Sequence, residues 1–257
     1  MKTLTDRPGD QSIQAAEYAF PYHYIPQATG RLLLSRHWDF AASYVAALNI
    51  VAEHLRPLAE AEGAQWRHID IGCGDGALVH HLSRLQGFAQ GRIAGVDIDA
   101  RAIEWARMFN PGAELVTGDM ATLEGGYASA TLIEVLEHVP PRDLPAFVAS
   151  SARLLRPGGR MVVTVPSVEK PVARKHFQHF SFQSIREALA PSFDRIEIFG
   201  FERRDRLTRL IDRMRSSRNF HLDSPALNAR AVARLQRTHL EQHKCGRLLA
   251  VCQRRSD

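Results

Sequence analysis

Segments of strand type alternate with segments of helical periodicity through most of the chain, and this alternation constrains the fold more than any other feature. Strand–turn–helix patterns occupy residues 66–85 and 91–109, and further strand segments follow at 113–120, 130–139 and 160–167. Short apolar runs bounded by turn residues are typical of buried strands. The alternation predicts an α/β fold in which a mostly parallel sheet carries helices on both faces.

Two more strands and three more helices complete the pattern. A sixth strand is predicted at 193–203 and a seventh at 246–255. Apolar positions at helical spacing predict helices at 38–60, 142–159 and 181–191. The sheet would therefore have seven strands.

The helix boundaries are marked by their own residues. Pro157 and the two glycines after it are expected to end the helix at 142–159, and Ser181 is expected to cap the start of the next one. Between the last two strands lies a mostly helical, basic segment without the character of the earlier crossovers. We interpret it as an insertion.

These elements suggest four parts of the chain. Residues 1–60 would form an N-terminal segment and helices that cap the active site. The core would occupy 61–203, the basic helical insertion 204–244, and the last strand of the core 245–257.

The composition is that of a globular protein. The 257 residues are 45% hydrophobic and 24% charged, which is sufficient for one large core. No apolar run approaches the roughly 18 residues of a membrane span, and the N-terminus lacks the apolar region of a secretory signal. The three cysteines, Cys73, Cys245 and Cys252, form no even framework and no C-x-x-C pair. We therefore expect a reduced, cytoplasmic protein without a transmembrane segment.

The positive charge is concentrated near the C-terminus. The net charge is +5, yet residues 200–257 alone hold 14 Lys and Arg against six Asp and Glu. Such a region would contact nucleic acid, an anionic membrane surface or a phosphorylated substrate. The alternative is a solvated helical face rich in arginine.

The turn "DIGCGDGA" joins the first strand to the next helix. It places Asp70 before three glycines, Gly72, Gly74 and Gly76. Glycines tolerate positive φ and let the backbone approach a ligand closely. The following helix directs its first N–H groups to the same place. The turn predicts a cofactor site, although it does not alone identify the cofactor.

Two cofactors fit this glycine spacing. Gly72, Gly74 and Ala77 satisfy the dinucleotide pattern, with Asp97 about 20 residues further on. A dinucleotide would bring its pyrophosphate to the turn, where the Asp70 carboxylate would repel it. S-adenosylmethionine brings an ammonium and a sulfonium, which a carboxylate attracts. Asp70 therefore favours S-adenosylmethionine and disfavours a dinucleotide oxidoreductase.

Acidic residues stand at or near the ends of three successive strands. Asp97 is placed to accept hydrogen bonds from two ribose hydroxyls. Asp119 would reach an adenine amino group, with Met120 against the ring. The alternative is that Asp70, Asp97 and Asp119 are ordinary loop or cap residues.

Six segments within about residues 60–200 follow one another in the order and at the spacing of a known family. They read "HIDIGCGDGALVHHL", "IAGVDIDARAIEWAR", "VTGDM", "IEVLEHV", "ARLLRPGGRMVVTVPS" and "HFQHFSFQSIREAL". With them the sequence resembles the class I S-adenosylmethionine-dependent methyltransferases. The resemblance implies a Rossmann-like seven-stranded sheet whose last strand is antiparallel. It also implies that the cofactor lies across the carboxyl ends of the first strands.

The resemblance also implies which residues bind the cofactor. By matching position they are Asp70, Gly72, Cys73, Gly74, Asp97, Ile98, Asp119, Met120 and Glu134. We interpret Cys73 as a small residue that fills the turn rather than as a nucleophile, because no base lies beside it in the sequence.

A hydroxyl acceptor needs its proton removed, or a metal that lowers its pKa. Of the histidines His23, His138, His176 and His179, we predict His138, His179 and His23 as catalytic. His23 lies in the aromatic segment "EYAFPYHYIP", which would close over the active site. The alternatives are a packing role for that segment, a locally bonded His138, and a structural pair of His176 and His179.

The segments "EVLEHV" and "HFQHFSF" resemble two sub-families. One acts on hydroxyl, carbon or amine groups of quinones, sugars and natural products. The other methylates the 2′-hydroxyl at the 3′ end of small RNAs and, carried over by position, would bind a metal through Glu134, Glu137, His138 and His179. The segment "LLRPGGRMVVTVP", the reading "HFSFQSI" and the short linker at 166–179 favour the first group, and thus no metal.

The function predicted first is O-methylation of a hydroxyl on a glycan or other small-molecule acceptor, with S-adenosylmethionine as cofactor. The C-terminal region resembles the tail of methyltransferases found with surface-glycan assembly, and its charge suits peripheral contact with an anionic surface. One alternative is a metal-dependent 2′-O-methyltransferase of small RNA. Another is a non-catalytic protein that binds the cofactor or nucleic acid.

Overall fold

A seven-stranded sheet forms the centre of the molecule. The computed structural model describes residues 11–18, 38–88, 93–208, 210 and 225–256. The strands are β1 (His68–Ile71), β2 (Ile93–Asp97), β3 (Glu114–Thr117), β4 (Tyr127–Ile133), β5 (Leu155–Pro166), β6 (Phe193–Arg203) and β7 (Cys245–Arg254). Their order across the sheet is β3-β2-β1-β4-β5-β7-β6.

The sheet is parallel except at its last strand. Each neighbouring pair among β1 to β5 is parallel. Strand β7 inserts between β5 and β6 and runs antiparallel to both. The predicted Rossmann-like, mostly parallel seven-stranded sheet with an antiparallel last strand is therefore confirmed.

Helices cover both faces of the sheet, as predicted. Their bounds are α1 (Gln11–Glu17), α2 (Trp38–Glu62), α3 (Ala77–Ser83), α4 (Ala100–Phe109), α5 (Leu144–Leu154), α6 (Phe182–Leu189) and α7 (Pro225–Leu235). On one face Leu48 of α2, Leu78 of α3 and Ile103 of α4 share one buried cluster. On the other face Val148 of α5 and Ile185 of α6 share another. Both faces are thus shielded from water, which a parallel sheet requires.

The fourth strand is shorter than the predicted segment 130–139. It ends at Ile133, because the next residue, Glu134, has a φ of 56°. This left-handed conformation is incompatible with an extended strand. The chain then makes a 3₁₀ turn at Leu136–His138.

The fifth strand begins earlier than predicted. The helix expected at 142–159 ends at Leu154, and Leu155 already pairs with β4. Leu155 and Arg160 pair with β4 residues that are only two positions apart, so the intervening Pro157–Gly159 region bulges out of the ladder. Proline has no N–H to donate, and a bulge accommodates it within the strand.

Helix α6 begins directly after the residue that was predicted to cap it. Ser181 caps α6, because its side-chain oxygen accepts from the Ser184 N–H at 3.0 Å.

Helix α7 lies in the predicted insertion, and Leu235 packs with Ala46 of α2. Part of that insertion falls outside the described residues, and the four-part division of the chain stays a prediction. Among the described helices, none combines the length and apolar character that a bilayer crossing requires.

Arg247 of β7 is a buried charge at which several segments meet. Its Nε donates to Glu134 Oε2 at 2.9 Å, and its Nη1 donates to Ser43 Oγ of α2 at 2.7 Å. The same Nη1 lies 3.0 Å from Glu202 Oε2 of β6. Glu202 also accepts from Lys170 Nζ at 3.1 Å. Because a buried charge is tolerated only with such partners, this network fixes β7 relative to its neighbours.

Replacing Arg247 tests this role. We expect Arg247→Ala to lower the free energy of unfolding by about 3–5 kcal/mol, because Glu134 and Glu202 would stay buried without their main counter-charge. Urea unfolding measures the change. The matched control is Arg142→Ala, whose side chain is 86% exposed and should cost at most about 0.5 kcal/mol. Equal losses in the two variants would contradict the role of Arg247.

Candidate active site

A cleft opens at the carboxyl ends of β1, β2 and β4, with a volume of about 640 Å³. It lies where the strand order reverses, because β2 and β4 flank β1 on opposite sides. Ligand sites of open α/β sheets form at such points. All the predicted cofactor-binding residues line the cleft, namely Asp70, Gly72, Cys73, Gly74, Asp97, Ile98, Asp119, Met120 and Glu134.

The glycine turn after β1 forms one wall of the cleft and requires its glycines. The φ angle is +71° at Gly72 and +53° at Gly74. A Cβ on Gly72 would lie 2.6 Å from Val135 Cγ2, and one on Gly74 would lie 2.3 Å from the Tyr18 hydroxyl oxygen. The Tyr18 carbonyl accepts from the Trp105 indole N–H at 3.1 Å. The residue that follows α1 is thereby held against the turn.

Asp70, at the carboxyl end of β1, is buried beneath this turn. The Thr131 hydroxyl donates to its Oδ1 at 2.7 Å. Burial raises the pKa of Asp70 to about 7, with the Thr131 hydrogen bond opposing the rise and the Asp97 charge adding to it. A cationic ligand in the cleft would favour the ionised form.

Asp97 ties the glycine turn to the end of β2. Its Oδ2 accepts from the Gly74 N–H at 2.9 Å, and its Oδ1 accepts from the Asp99 N–H at 2.9 Å. Burial raises the pKa of Asp97, against the effect of these N–H groups. Each oxygen keeps acceptor capacity, which suits ligand hydroxyls.

The end of β3 contributes two residues to the same cleft. Asp119 Oδ1 accepts from the Ala121 N–H at 2.9 Å and so caps a short 3₁₀ turn. Met120 is buried behind it, whereas Ile98, after β2, is 79% exposed. An exposed isoleucine beside a cleft offers an apolar surface to a flat ligand ring.

Cys73 fills the interior of the glycine turn. Burial raises the pKa of its thiol well above the ordinary value, and the nearby Asp70 and Asp97 charges raise it further. The thiol therefore stays protonated at neutral pH and is a poor nucleophile. All three cysteines are buried and free.

Glu134 stands between the cleft and the Arg247 network. Its Oε2 accepts from Arg247, and its Oε1 accepts from the Thr164 hydroxyl at 3.1 Å. Burial opposes ionisation, but Arg247 and Lys170 outweigh it and hold the pKa of Glu134 below its ordinary value. Glu134 is therefore a charged residue whose two oxygens already accept hydrogen bonds.

Glu137 is the unsatisfied acid of the site. Its side chain is 1% exposed, and within the described residues neither carboxyl oxygen has a hydrogen-bond partner. Burial, together with the Glu134 charge, raises its pKa well above the ordinary value. A buried carboxyl without a partner is costly, so a ligand or a proton is expected there.

His138 follows directly, and its hydrogen bond defines its tautomer. Its Nδ1 lies 3.1 Å from the Lys175 carbonyl oxygen. A carbonyl only accepts, so the ring proton is on Nδ1. Burial and the Lys175 charge lower the pKa of His138, so Nε2 carries no proton at neutral pH. This nitrogen lies 4.0 Å from Glu137 Oε1.

A hydrogen bond with a defined donor and acceptor joins His176 and His179. His179 Nδ1 donates to the Lys170 carbonyl at 3.0 Å, so its Nε2 must accept from His176 Nδ1, 2.9 Å away. Burial lowers the pKa of both rings, that of His176 to about 3. His176 Nε2 is consequently unprotonated, like His138 Nε2.

Three of these groups converge at the acceptor side of the cleft. The ligand atoms of Glu137, His138 and His176 all lie within 4.8 Å of one another. The predicted metal set names Glu134 and His179 in addition to Glu137 and His138. In the structure Glu134 is bonded to Arg247 and His179 stands behind His176. Among the described residues, His176 rather than His179 is grouped with Glu137 and His138.

His23, which was predicted as catalytic, lies outside the described residues. The acceptor side of the cleft also contains residues that were not predicted from the sequence. Lys170 and Lys175 line the cleft without having been predicted. Lys175 Nζ donates to Glu17 Oε2 of α1 at 2.5 Å, which closes the acceptor side with the N-terminal helix. His176 was named among the candidate histidines of the "HFQHFSF" segment but was not selected as catalytic.

Comparison with known proteins agrees with this geometry. Residues 41–200 match the methyltransferase domain family. The ubiquinone biosynthesis O-methyltransferase of Xanthomonas euvesicatoria pv. vesicatoria is 30% identical over 143 residues, which are 51% of this chain and 56% of that protein. The chain thus spans about half the length of the curated relatives it matches.

Solved structures show the same fold. A SAM-dependent methyltransferase from Archaeoglobus fulgidus superimposes with a TM-score of 0.55 at 18% identity, covering 80% of this chain and 94% of that one. Phosphoethanolamine N-methyltransferase 2 from Haemonchus contortus, in complex with S-adenosyl-L-methionine, gives a TM-score of 0.51 at 16% identity and covers 77% and 52%.

Fold and family together define the class as the class I S-adenosylmethionine-dependent methyltransferases. The family match extends over more than half of the chain, and the protein belongs to the methyltransferase domain family. The family membership predicted from the sequence is thus confirmed.

The raised pKa of Asp70 predicts a pH-dependent stability. The folded value of about 7 exceeds the ordinary value of 3.8, so the folded state binds more protons between these values and loses stability as the pH rises through them. Asp70→Asn removes this loss. We expect the free energy of unfolding of the variant, relative to wild type, to rise by about 2–4 kcal/mol from pH 4 to pH 8.

Urea unfolding at several pH values measures this difference. The control is Asp143→Asn, the same substitution at a side chain that is 55% exposed. A constant difference for Asp70→Asn would show that the buried carboxyl is not the titrating group.

Proposed function

We propose that this methyltransferase transfers the methyl group of S-adenosylmethionine to a hydroxyl group of a small-molecule or glycan acceptor. The observation that carries the proposal is the cluster of Glu137, His138 and His176 at the acceptor side of the cleft. Two neutral imidazoles with unprotonated nitrogens are suited to take a proton from a hydroxyl. Such a group is needed for an oxygen acceptor and less so for carbon or nitrogen.

The cofactor supplies an electrophilic methyl group on a sulfonium centre. We assign the carboxylate of Asp70 to the cationic amino acid part and Asp97 to the ribose hydroxyls. Asp119 would meet the adenine amino group, with Met120 and Ile98 against the ring. The placement of all five around one cleft supports this division.

His138 is the proposed general base. The Nδ1–H bond to the Lys175 carbonyl fixes the ring orientation and tautomer, so Nε2 is the nitrogen that would accept the hydroxyl proton. The Glu137 carboxyl lies 4.0 Å from the nitrogen that would take this proton. His176, held by His179, would orient the acceptor.

The curated relatives support oxygen as the methyl acceptor. Those in several Xanthomonas strains and in Cronobacter sakazakii are named ubiquinone biosynthesis O-methyltransferases, at about 30% identity. Their acceptor is not carried over, because only about half of each protein is matched. We propose the chemical class of acceptor alone, a hydroxyl of a small molecule or glycan.

We also propose that the basic C-terminal region contacts an anionic surface. Two of its arginines, however, already pair with an acid of the protein: Arg203 Nε lies 2.6 Å and Arg234 Nη2 lies 2.5 Å from Asp205 Oδ2. These pairs favour a structural role for at least this part of the charge.

Replacing His138 tests the proposed base. The assay measures transfer of labelled methyl from S-adenosylmethionine to a panel of catechols, other phenols and hexoses. We expect His138→Ala to lower kcat by about 10²–10⁴-fold while the affinity for S-adenosylhomocysteine stays unchanged. The control is His243→Ala, whose side chain is 68% exposed and should leave both values intact. An unchanged kcat in His138→Ala would remove His138 from the mechanism.

A metal-dependent O-methyltransferase is the second candidate, and the same cluster favours it. Glu137, His138 and His176 offer one carboxylate and two imidazole ligands, a set that binds a divalent cation and would lower the pKa of an acceptor hydroxyl. The small-RNA acceptor predicted as an alternative from the sequence belongs to this candidate.

Chelation separates the two candidates. Under the proposed base mechanism, treatment with EDTA and subsequent addition of Mg²⁺, Mn²⁺ or Co²⁺ should leave turnover unchanged. Loss of turnover with EDTA and its return with one of these ions would instead establish the metal-dependent mechanism. Binding of S-adenosylhomocysteine, measured in the same samples by calorimetry, controls for damage to the fold.

A further inference from the structure

A row of buried polar side chains runs between β1 and β4 behind the cofactor side of the cleft. It consists of Trp66, Ser129, His68, Thr131 and Asp70, the first four of which have no measurable exposure. In the parallel register His68 pairs with Ser129 and Asp70 with Thr131. Because side chains alternate along a strand, these four point to one face of the sheet.

Every member of the row is within hydrogen-bond distance of the next. Trp66 Nε1 donates to Ser129 Oγ at 3.1 Å, and Ser129 Oγ lies 2.9 Å from His68 Nδ1. His68 Nε2 lies 3.1 Å from Thr131 Oγ1, which donates to Asp70 Oδ1 at 2.7 Å. The Trp66 ring also stacks on His68, with 5.5 Å between ring centroids and 13° between planes.

The two ends of the row fix the direction of every bond. The Trp66 indole only donates and an ionised Asp70 only accepts. The single proton of Thr131 goes to Asp70, so Thr131 must accept from His68 Nε2–H. A neutral His68 then accepts at Nδ1 from the Ser129 hydroxyl, which accepts from Trp66. Each hydroxyl donates once and accepts once, and no proton lacks an acceptor.

The reverse direction fails at Ser129. If Asp70 were protonated and donated to Thr131, Thr131 would donate to His68 Nε2 and His68 Nδ1–H to Ser129. Ser129 Oγ would then accept from both His68 and Trp66, and its own proton would have no acceptor in the row. A buried donor without an acceptor is costly. The row is therefore complete only when Asp70 Oδ1 accepts from Thr131, and an ionised carboxylate accepts this bond more strongly than a neutral carboxyl does.

We propose that Ser129, His68 and Thr131 are positioning residues that favour the ionised form of Asp70 and orient it for the cationic part of S-adenosylmethionine. This rests on the assignment of Asp70 proposed above. The row occupies Oδ1 of Asp70 and leaves Oδ2 for the ligand. His68 stays neutral: it accepts from Ser129 and donates to Thr131, so the bond direction set by Trp66 extends to the Asp70 carboxyl group. His68 takes no proton from the reaction.

The electrostatics agree with this arrangement. Burial lowers the pKa of His68 to about 3, so the ring is neutral at physiological pH. Burial raises the pKa of Asp70 and the Thr131 hydroxyl counteracts it. Asp97 from β2 faces Asp70 with a like charge that raises the pKa further, and the nearby Cys73 thiol stays protonated. The row supplies the donor that opposes these effects.

The test compares Thr131→Val with Thr131→Ser. Valine keeps the shape but removes the hydroxyl, whereas serine keeps the hydroxyl and loses only a methyl group. The midpoint of Asp70 ionisation is followed by carbon NMR of its carboxyl in the free protein. S-adenosylhomocysteine affinity is followed by calorimetry from pH 5.5 to 9.

We expect Thr131→Val to move the ionisation midpoint upward by about one pH unit, and to weaken S-adenosylhomocysteine binding by about tenfold at pH 7. Thr131→Ser should stay close to wild type in both. A merely structural role would lower stability in both variants and move neither midpoint. Superimposable midpoints in wild type and Thr131→Val would overturn the proposal.

A second readout addresses the tautomer of His68. Nitrogen NMR, with His68→Gln to assign the signal, should show a neutral ring protonated at Nε2. A proton on Nδ1, or a charged ring, would contradict the direction of the row. If wild type does not bind S-adenosylhomocysteine, the assignment of Asp70 to the cofactor fails, while the tautomer and the carboxyl titration still decide whether the row acts on Asp70.

Discussion

The pairing of β1 with β4 is the constraint on which the active site depends. The chain leaves β1 toward β2 on one side and returns to β4 on the other, so no connection covers their carboxyl ends and a crevice remains. Asp70 lies at the last position but one of β1, and Glu134 directly follows β4. The register that aligns Asp70 with Thr131 also aligns His68 with Ser129. A shift of one residue would turn these polar side chains to the opposite face and separate Asp70 from its donor.

Three carboxyl groups around this crevice differ in pKa because their neighbours differ. Arg247 lowers the pKa of Glu134, burial without a partner raises that of Glu137, and burial raises that of Asp70 against the Thr131 hydrogen bond. Such a division of otherwise similar acids is how one site supplies both a cation-binding group and proton-transfer chemistry. It also separates the cleft into a cofactor side at the glycine turn and an acceptor side at His138 and His176.

The sequence predicts the fold well because each strand and helix is encoded locally, by periodicity, glycine turns and caps such as Ser181. It fails where long-range contacts decide. Nothing near Glu134 shows that β4 ends there in a left-handed conformation, because the ion pair that holds it comes from Arg247, 113 residues away. Likewise, the sequence does not show which of His176 and His179 lies beside Glu137, because this depends on how the loop that carries them folds. The row behind Asp70 becomes visible only once β1 and β4 are in register.

The most direct test of this account is a crystal structure with S-adenosylhomocysteine bound. The account predicts the ligand ammonium near Asp70 Oδ2, the ribose hydroxyls on Asp97 and the adenine between Ile98 and Met120, with the sulfur directed toward His138. Ligand density that leaves Asp70 and Asp97 without contact, or that directs the sulfur away from His138 and His176, would contradict it.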